Sequence, residues 1–283
     1  MRENQKRYAW LSDIHLDALQ NENALVEFAK TLSTSSVDGF FVTGDISTAN
    51  DVVCHLSIIE HATQKPVNFV LGNHDYFGSD IATVRKKMNQ LCLISSHLKY
   101  MSQVSYTQLT PTTALVGHDG WYDALYGDVL SSNFMMADWV HIADFKIHSG
   151  GLSFMKTGSL KDKPQLIALA RQLAHEATTH VMEGIKAAAK SYKNIVVLTH
   201  VPPFVESHFH MGKPGDKNAH PWFTSKMMGD MLRSASLTYP NINFLVLAGH
   251  THGYSNIQIT SNMKCCIAAA EYASPKVADI IEV

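Results

Sequence analysis

Seven residues in this chain have the chemistry of metal ligands and a spacing that could bring them together: Asp13, His15, Asp45, Asn73, His200, His250 and His252. They are carboxylates, imidazoles and one amide, with no thiolate among them. Mixed nitrogen and oxygen donors suit Mn, Fe, Zn or Co rather than a structural cysteine-type zinc site. Seven exceed what one tetrahedral ion needs. One carboxylate bridging two divalent ions, roughly 3.5–4 Å apart, would complete the clamp used in phosphoryl chemistry. Asp13 and His15 stand two positions apart, as do His250 and His252, so on extended chain each pair projects to one side. Gly44, Gly72 and Gly249 precede Asp45, Asn73 and His250 and permit tight turns there.

Short strands should carry these groups. Apolar runs over 7–12, 39–43 and 66–71 read as strands. Between them, Ala24, Leu25, Phe28, Ala29 and Leu32, then Val52, Val53, Leu56, Ile59 and Ala62, have helical spacing. The βαβαβ order predicts parallel strands with crossover helices. Each strand runs into a polar cluster, at Ser12–His15, Gly44-Asp45 and Gly72–Asp75, where parallel α/β sheets gather ligands.

A helix over 81–91 and strands over 104–109 and 113–117 are expected next. The stretch 118–163 is rich in Gly, Asp and aromatic residues and weakly periodic. It reads as a partly ordered insertion over the site, because long unstructured loops are uncommon unless functional. Leu166, Leu169, Ala170, Leu173, Ala177, Val181 and Ile185 mark one face of a long helix over 164–190. With that helix the insertion runs over about 118–192. A strand over 194–199 leads to His200, a helix covers 227–232, and a strand over 243–248 runs into Gly249–His252. Strands over 254–260, 264–270 and 276–283 close the chain. With no repeat and no convincing linker, residues 1–283 are expected to form a single domain.

Five blocks then stand in order: Asp13-x-His15, Gly44-Asp45, Gly72-Asn73-His74-Asp75, Thr199-His200 after an apolar strand, and Gly249-His250-Thr251-His252. In this the chain resembles the calcineurin-like metallophosphoesterases, from about residue 8 to the C-terminus, with the insertion the least matched part. The resemblance implies an α/β fold, a four-layer α/β/β/α sandwich of two mixed sheets with a helical and loop insertion capping the site. It implies that Asp13, His15 and His252 hold one divalent ion, that Asn73, His200 and His250 hold a second, and that Asp45 bridges. His74 is then the non-ligand histidine that meets the phosphate and the leaving-group oxygen. The implied reaction is in-line attack by a metal-bridging hydroxide on a small phosphate ester, with Asp45 and His74 as catalytic residues and two divalent ions (Mn, Fe, Zn or Co) as cofactors.

One position departs from the family pattern. Many relatives carry an acidic residue three places after the bridging Asp, orienting the catalytic His. Here Thr48 stands there, so either Asp51 or Asp75 substitutes or His74 is less polarised. Substrate contacts are expected from Asn73 and His74, and from His118, Trp121 and His208 in two Gly- and His-rich segments. The rest of the loop after His200, with His210, His220 and Trp222, is weighed as a solvated loop. His141, His148, His175 and His180 read as structural or surface residues. The pairs Met135-Met136 and Met227-Met228 read as packing, and Cys265-Cys266 as inert thiols on opposite faces of a strand.

Composition narrows the function. Hydrophobic residues make up 46% and charged residues 17%, so the chain can build a core and is not disordered. No run of about 18 uninterrupted apolar residues occurs, so no membrane partner is expected. Net charge is −2 and no basic run appears, which counts against nucleic acid as a partner. The polar start, Met1–Arg7, passes straight into Tyr8–His15 with no room for a secretory apolar region. Four cysteines without a CxxC pair fit a reducing cytoplasm. The expectation is a cytoplasmic dinuclear metal-dependent hydrolase of small phosphate esters. It leans to phosphodiesters, because the resemblance associates Asp after the His of the third block with diesterase-like members. The alternatives are a phosphomonoesterase on a small metabolite, a nuclease, and a non-catalytic scaffold, the last disfavoured by the complete donor set. Oligomeric state is not legible.

Overall fold

The computed structural model of the chain describes residues 5–157, 161–210 and 212–283. Residues 1–4 of the polar start and 158–160 of the expected insertion lie outside the described residues.

The first half builds β1 (Arg7–Leu11), α1 (Glu22–Ser33), β2 (Gly39–Thr43), α2 (Val52–Thr63), β3 (Val67–Val70), α3 (Ile81–Ile94) and β4 (Leu98–Tyr100). Local chemistry starts these helices: Asn21 accepts from Ala24 N ahead of α1, and Asp80 accepts from Thr83 N ahead of α3. Strands β1 to β4 pair in parallel, and the last strand of the chain, β13 (Asp279–Glu282), closes the other edge antiparallel to β1.

The second sheet begins with β5 (Thr107–Gln108) and β6 (Thr113–Gly117). Three short helices follow, α4 (Asp138–His141), α5 (Ala143–Ser149) and α6 (Leu152–Thr157), then the 26-residue α7 (Lys163–Ala188). The chain continues through β7 (Asn194–Leu198), the hairpin β8 (Phe209–His210) and β9 (Lys213–Pro214), α8 (His220–Phe223), α9 (Lys226–Thr238), β10 (Asn243–Ala248), β11 (Ser255–Thr260) and β12 (Met263–Ile267). The sheet order is β11-β12-β10-β7-β6-β5, with the four central strands parallel and both edge strands antiparallel.

Strand alternation sorts the core into layers, because successive side chains leave a strand on opposite faces. In the first sheet Ala9, Leu11, Phe40, Val42, Val67 and Phe69 face helices α1, α2 and α3. In the second, Ala114, Val116, Ile195, Val197, Phe244 and Val246 face α7 and α9. Their strand neighbours Trp10, Phe41, Val70, Leu115, Val196 and Leu247 meet between the sheets. Helices, sheet, sheet and helices therefore stack as four layers around two mixed sheets. The four-layer arrangement of two mixed sheets implied by the resemblance is the one observed.

Several local expectations change. The strand expected over 104–109 is only β5, and β4 goes unannounced because three residues carry too little periodicity. The weakly periodic stretch after residue 118 holds α4, α5 and α6, each seven residues or shorter. Its aromatic residues Trp121, Tyr122, Trp139 and Phe145 are buried in the core under the first sheet's helices. The helix expected over 227–232 extends over 226–238 as α9. No helix among the described residues is long and apolar enough to cross a membrane.

Candidate metal centre

The donors sit where the two sheets end side by side. Backbone bonds tie the strand ends together: Asp13 N donates to Gly44 O at 3.0 Å, His15 N to Asp45 O at 3.0 Å, and Gly249 N to His200 O at 2.9 Å. The turns that aim the side chains are strained. Asp13, His15, Asp45, His250 and His252 all have positive φ, between 38° and 70°, a region that L-residues other than Gly rarely adopt. Strain of this kind persists where surrounding structure imposes it, and it concentrates at functional sites. The turns also leave no room beside two glycines. A Cβ on Gly72 would lie 2.1 Å from Asp45 Oδ1, and one on Gly249 would lie 2.1 Å from Asp13 Oδ2.

The donor atoms form two overlapping groups. In the first, ligand atoms of Asp13, His15, Asp45 and His252 all lie within 4.8 Å of one another. His15 Nε2 stands 3.2 Å from His252 Nε2 and 3.8 Å from Asp45 Oδ2, and His252 Nε2 stands 3.4 Å from Asp13 Oδ1. In the second, Asn73 Oδ1 lies 3.0 Å from both His200 Nε2 and His250 Nδ1, and His200 Nε2 is 3.3 Å from Asp45 Oδ1. Asp45 therefore turns one carboxylate oxygen to each group.

Outer contacts fix which atoms face inward. His200 Nδ1 donates to Thr43 O at 2.8 Å, leaving Nε2 for the centre, and His250 Nε2 donates to Trp222 O at 3.4 Å, leaving Nδ1. Asn73 Nδ2 donates to Asp138 Oδ1 at 2.7 Å, which turns the amide oxygen inward. His74 N donates to Asp45 Oδ1 at 2.9 Å and His250 N to Asp13 Oδ1 at 2.8 Å.

Electrostatics follow from burial and proximity. Burial raises the carboxyls of Asp13 and Asp45, yet the neighbouring imidazoles win and hold both below the ordinary range, Asp45 well below. Burial opposes charge on His200 as well, but Asp45 reverses that and lifts it to about 10. Burial, reinforced by His200, pushes His250 down to about 3.

This donor set fits divalent cations. All seven residues offer nitrogen or oxygen, and the thiols are elsewhere. Two imidazole nitrogens 3.2 Å apart, His15 Nε2 and His252 Nε2, converge on a region that one cation can share. The two carboxylates supply the negative charge that such cations require.

His74 lines the cavity over these groups without joining either. Its ring stacks on Phe77, with centroids 4.2 Å apart, and meets His15 edge-on at 4.7 Å. Neither candidate for the missing acidic partner reaches it as expected. Asp75 is fully buried and spends its oxygens on Ile46 N, Ser47 N and Gly72 N. Asp51 begins α2 and pairs with Thr48 Oγ1 at 3.4 Å. Asp138 lines this cavity together with His74 and Asp45, and burial pushes its carboxyl up to about 6.

The cavity has a volume of about 290 Å³. Three of the expected substrate contacts are not among its lining residues. His118 is buried away from it, 3.9 Å from Glu176 Oε1 and beside His180, because β6 turns its end toward α7. Trp121 stacks on Phe145 within the core. His208 pairs with His220 at 3.0 Å, and it is His210 that lines the cavity. The loop after His200 is no solvated loop, since Trp222 is fully buried against Trp139. Met135 and Met136 both line the cavity; Met136 also packs in the core as expected, whereas Met135 is exposed. Asp138, Phe134, Phe223 and Tyr272 also line it, and no sequence signal marked them. The one available clue to Asp138 was an acidic residue inside an aromatic cluster, Phe134 to Trp139.

Asp119, between His118 and Trp121, has a structural task. It accepts from Leu71 N at 2.7 Å, from Ser102 Oγ at 2.8 Å and from Tyr76 Oη at 2.6 Å, bracing the turn that presents Asn73 and His74.

Comparison with known proteins places this geometry. The family model for calcineurin-like phosphoesterases matches residues 6–254. No curated protein matches. Among solved structures, the phosphopantetheinyl hydrolase of Mycobacterium tuberculosis is 14% identical, with a TM-score of 0.58 over 94% of this chain and 89% of that one. A dimetal phosphatase from Danio rerio is 12% identical, with a TM-score of 0.57 over 95% and 89%. GAP50, the anchor in the inner membrane complex of Plasmodium, is 13% identical, with a TM-score of 0.51 over 99% and 81%. At such identities these likenesses concern the fold, and the fold alone does not select a function.

Proposed function

The chain belongs to the calcineurin-like phosphoesterases, hydrolases of phosphoric esters that use two divalent metal ions, and on that premise we propose that it cleaves a small phosphate diester in the cytoplasm. The observation that carries the dinuclear reading is the division of Asp45 between two donor groups, Oδ2 toward His15 and Oδ1 toward His200. In this reading Asp13, His15 and His252 hold one ion, Asn73, His200 and His250 the other, and Asp45 bridges.

Two divalent ions held by these residues would supply charge neutralisation at the phosphoryl oxygens and a water of lowered pKa. The protein's residues do the rest. Asp45 is kept ionised by its imidazole neighbours and held in orientation by His74 N. Thr43 O and Trp222 O keep the rings of His200 and His250 aimed inward. The His74 imidazole, stacked on Phe77 at the edge of the cavity, donates a proton through a ring nitrogen to the departing ester oxygen.

The preference for a diester rests on charge. Among the described residues lining the cavity none is Lys or Arg, while Asp45 and Asp138 bring negative charge. A singly charged diester asks less counter-charge of such a wall than a doubly charged monoester. A small organic substrate also suits a cavity of about 290 Å³. Neither a membrane nor a nucleic acid is proposed as a partner: the net charge of −2 offers no basic track for a polyanion. The cytoplasmic assignment is supported by four free cysteines.

The test is a paired rate comparison on the Mn-loaded protein. Bis-p-nitrophenyl phosphate should turn over faster than p-nitrophenyl phosphate. The opposite order would make the protein a phosphomonoesterase.

A further inference from the structure

The cavity over the donors has two unlike sides. One is the polar floor of Asp45, Asn73, His74 and the inward imidazoles. The other is apolar: Phe134, Met135 and Met136 from the segment before α4, and Phe223 at the end of α8, while Tyr272 packs on the donor His15, with ring centroids 4.3 Å apart. Phe134 and Phe223 already form an edge-to-face pair, with ring centroids 5.1 Å apart and planes at 85°. Met135 is 59% exposed and Tyr272 is 53% exposed.

An apolar wall beside a charged centre, with Met135 exposed and Phe134 and Phe223 half-buried, asks for an occupant, since apolar surface lining a pocket commonly marks a binding surface. Aromatic rings and thioethers together favour a flat aromatic guest: rings pack offset or edge-on, and methionine sulfur adapts to a ring edge. The apolar side offers little to read a polar one. Among the described residues, beyond the donors, His74 and Asp138, polar side-chain atoms come only from His210, Thr251 and the Tyr272 hydroxyl.

We infer that the scissile diester carries an uncharged aromatic ester group, seated against Phe134, Met135 and Phe223 while the phosphate meets the donor groups. This deepens the phosphodiesterase reading and rests on it. It also makes Phe134 and Met135 specificity-determining residues.

The test uses esters that share one leaving group. The Mn-loaded full chain is assayed on methyl p-nitrophenyl phosphate, phenyl p-nitrophenyl phosphate and thymidine 5′-p-nitrophenyl phosphate, each releasing p-nitrophenolate. The expected phenyl-to-methyl ratio of kcat/KM is about tenfold or more, from burial of the ring. In Met135→Ala and Phe134→Ala that ratio should fall by about threefold or more, and comparing ratios removes the esters' intrinsic difference in lability. Met135 is mostly exposed, so its replacement leaves the core intact. A second readout needs no turnover: diphenyl phosphate should bind more tightly than dimethyl phosphate by titration calorimetry, and Met135→Ala should narrow the gap.

Equal turnover of the phenyl and methyl esters, or a ratio unchanged in both variants, would overturn the inference and leave the phosphodiesterase reading standing. Faster turnover of the thymidine ester than of the phenyl ester would overturn it in favour of a nucleoside-reading site. Silence on all three esters with metal verifiably bound would overturn the phosphodiesterase reading and the inference together.

Discussion

Asn73 and Asp138 lie 65 residues apart in sequence, yet the Asn73 amide donates to the Asp138 carboxylate at 2.7 Å. That contact fixes which end of the amide faces His200 and His250, whose ring nitrogens both stand 3.0 Å from Asn73 Oδ1. Outer partners of metal ligands typically govern about 10–100-fold in metal affinity. Asp138→Ala should therefore weaken one of the two Mn sites by about tenfold or more and spare the other. Asp138→Asn keeps an acceptor oxygen and should recover most of the loss. Titration calorimetry on the metal-free protein reads both sites. Equal affinities in wild type and Asp138→Ala would deny Asp138 this positioning role.

His74 should act on the leaving group. General acids of this kind contribute about 10²–10⁴-fold. His74→Asn should depress turnover of an alkyl ester, a poor leaving group, far more than that of a p-nitrophenyl ester, whose phenolate departs unaided. A plot of log kcat/KM against leaving-group pKa should steepen in the variant. An unchanged slope would mean that His74 binds phosphate without protonating the departing oxygen.

His118 should matter to stability against pH. Burial pushes its pKa down to about 3 in the folded protein, against an ordinary histidine value of about 6.5 in the unfolded chain. Above pH 6.5 both states are neutral and nothing is lost. As pH falls from 6.5 toward 3 the unfolded chain binds the proton first, so folded stability declines. The loss attributable to His118 is about 2 kcal/mol between pH 7 and pH 5. Urea unfolding of metal-free wild type and His118→Asn should show the variant losing less stability over that interval. A parallel decline in both would assign the acid sensitivity to other groups.

The donor set was legible because each member ends a short apolar strand, and strand ends in a parallel sheet converge whatever the loops do. The layers came from the resemblance, because strands apolar on both faces show no alternation to read; Trp10 and Leu11 are both apolar and face opposite ways. Illegible was whatever depends on tertiary contact alone. The α4 to α6 segment is too short and too irregular to announce itself, so Asp138 behind Asn73 and the Phe134–Met136 wall had no periodic signal. His118 follows its strand just as His200 does, and only the turn of β6 toward α7 separates a buried histidine from a ligand. His74 offers a mixed case: its place in the third block was plain, but neither Asp51 nor Asp75 is free to orient it, and the further carboxyl in its cavity, Asp138, comes from the insertion.

The central claim is a dinuclear centre bridged by Asp45, and one titration tests it most directly. The metal-free protein would receive Mn in increments while metal bound per chain and hydrolysis of bis-p-nitrophenyl phosphate are followed together. The account predicts hydrolysis that rises to a plateau at two equivalents per chain, and an Asp45→Asn variant that loses the second equivalent and at least about a thousandfold in rate, as removal of a central catalytic group typically does. Hydrolysis that persists without metal, or an Asp45→Asn variant that binds two equivalents and turns over at the wild-type rate, would contradict it.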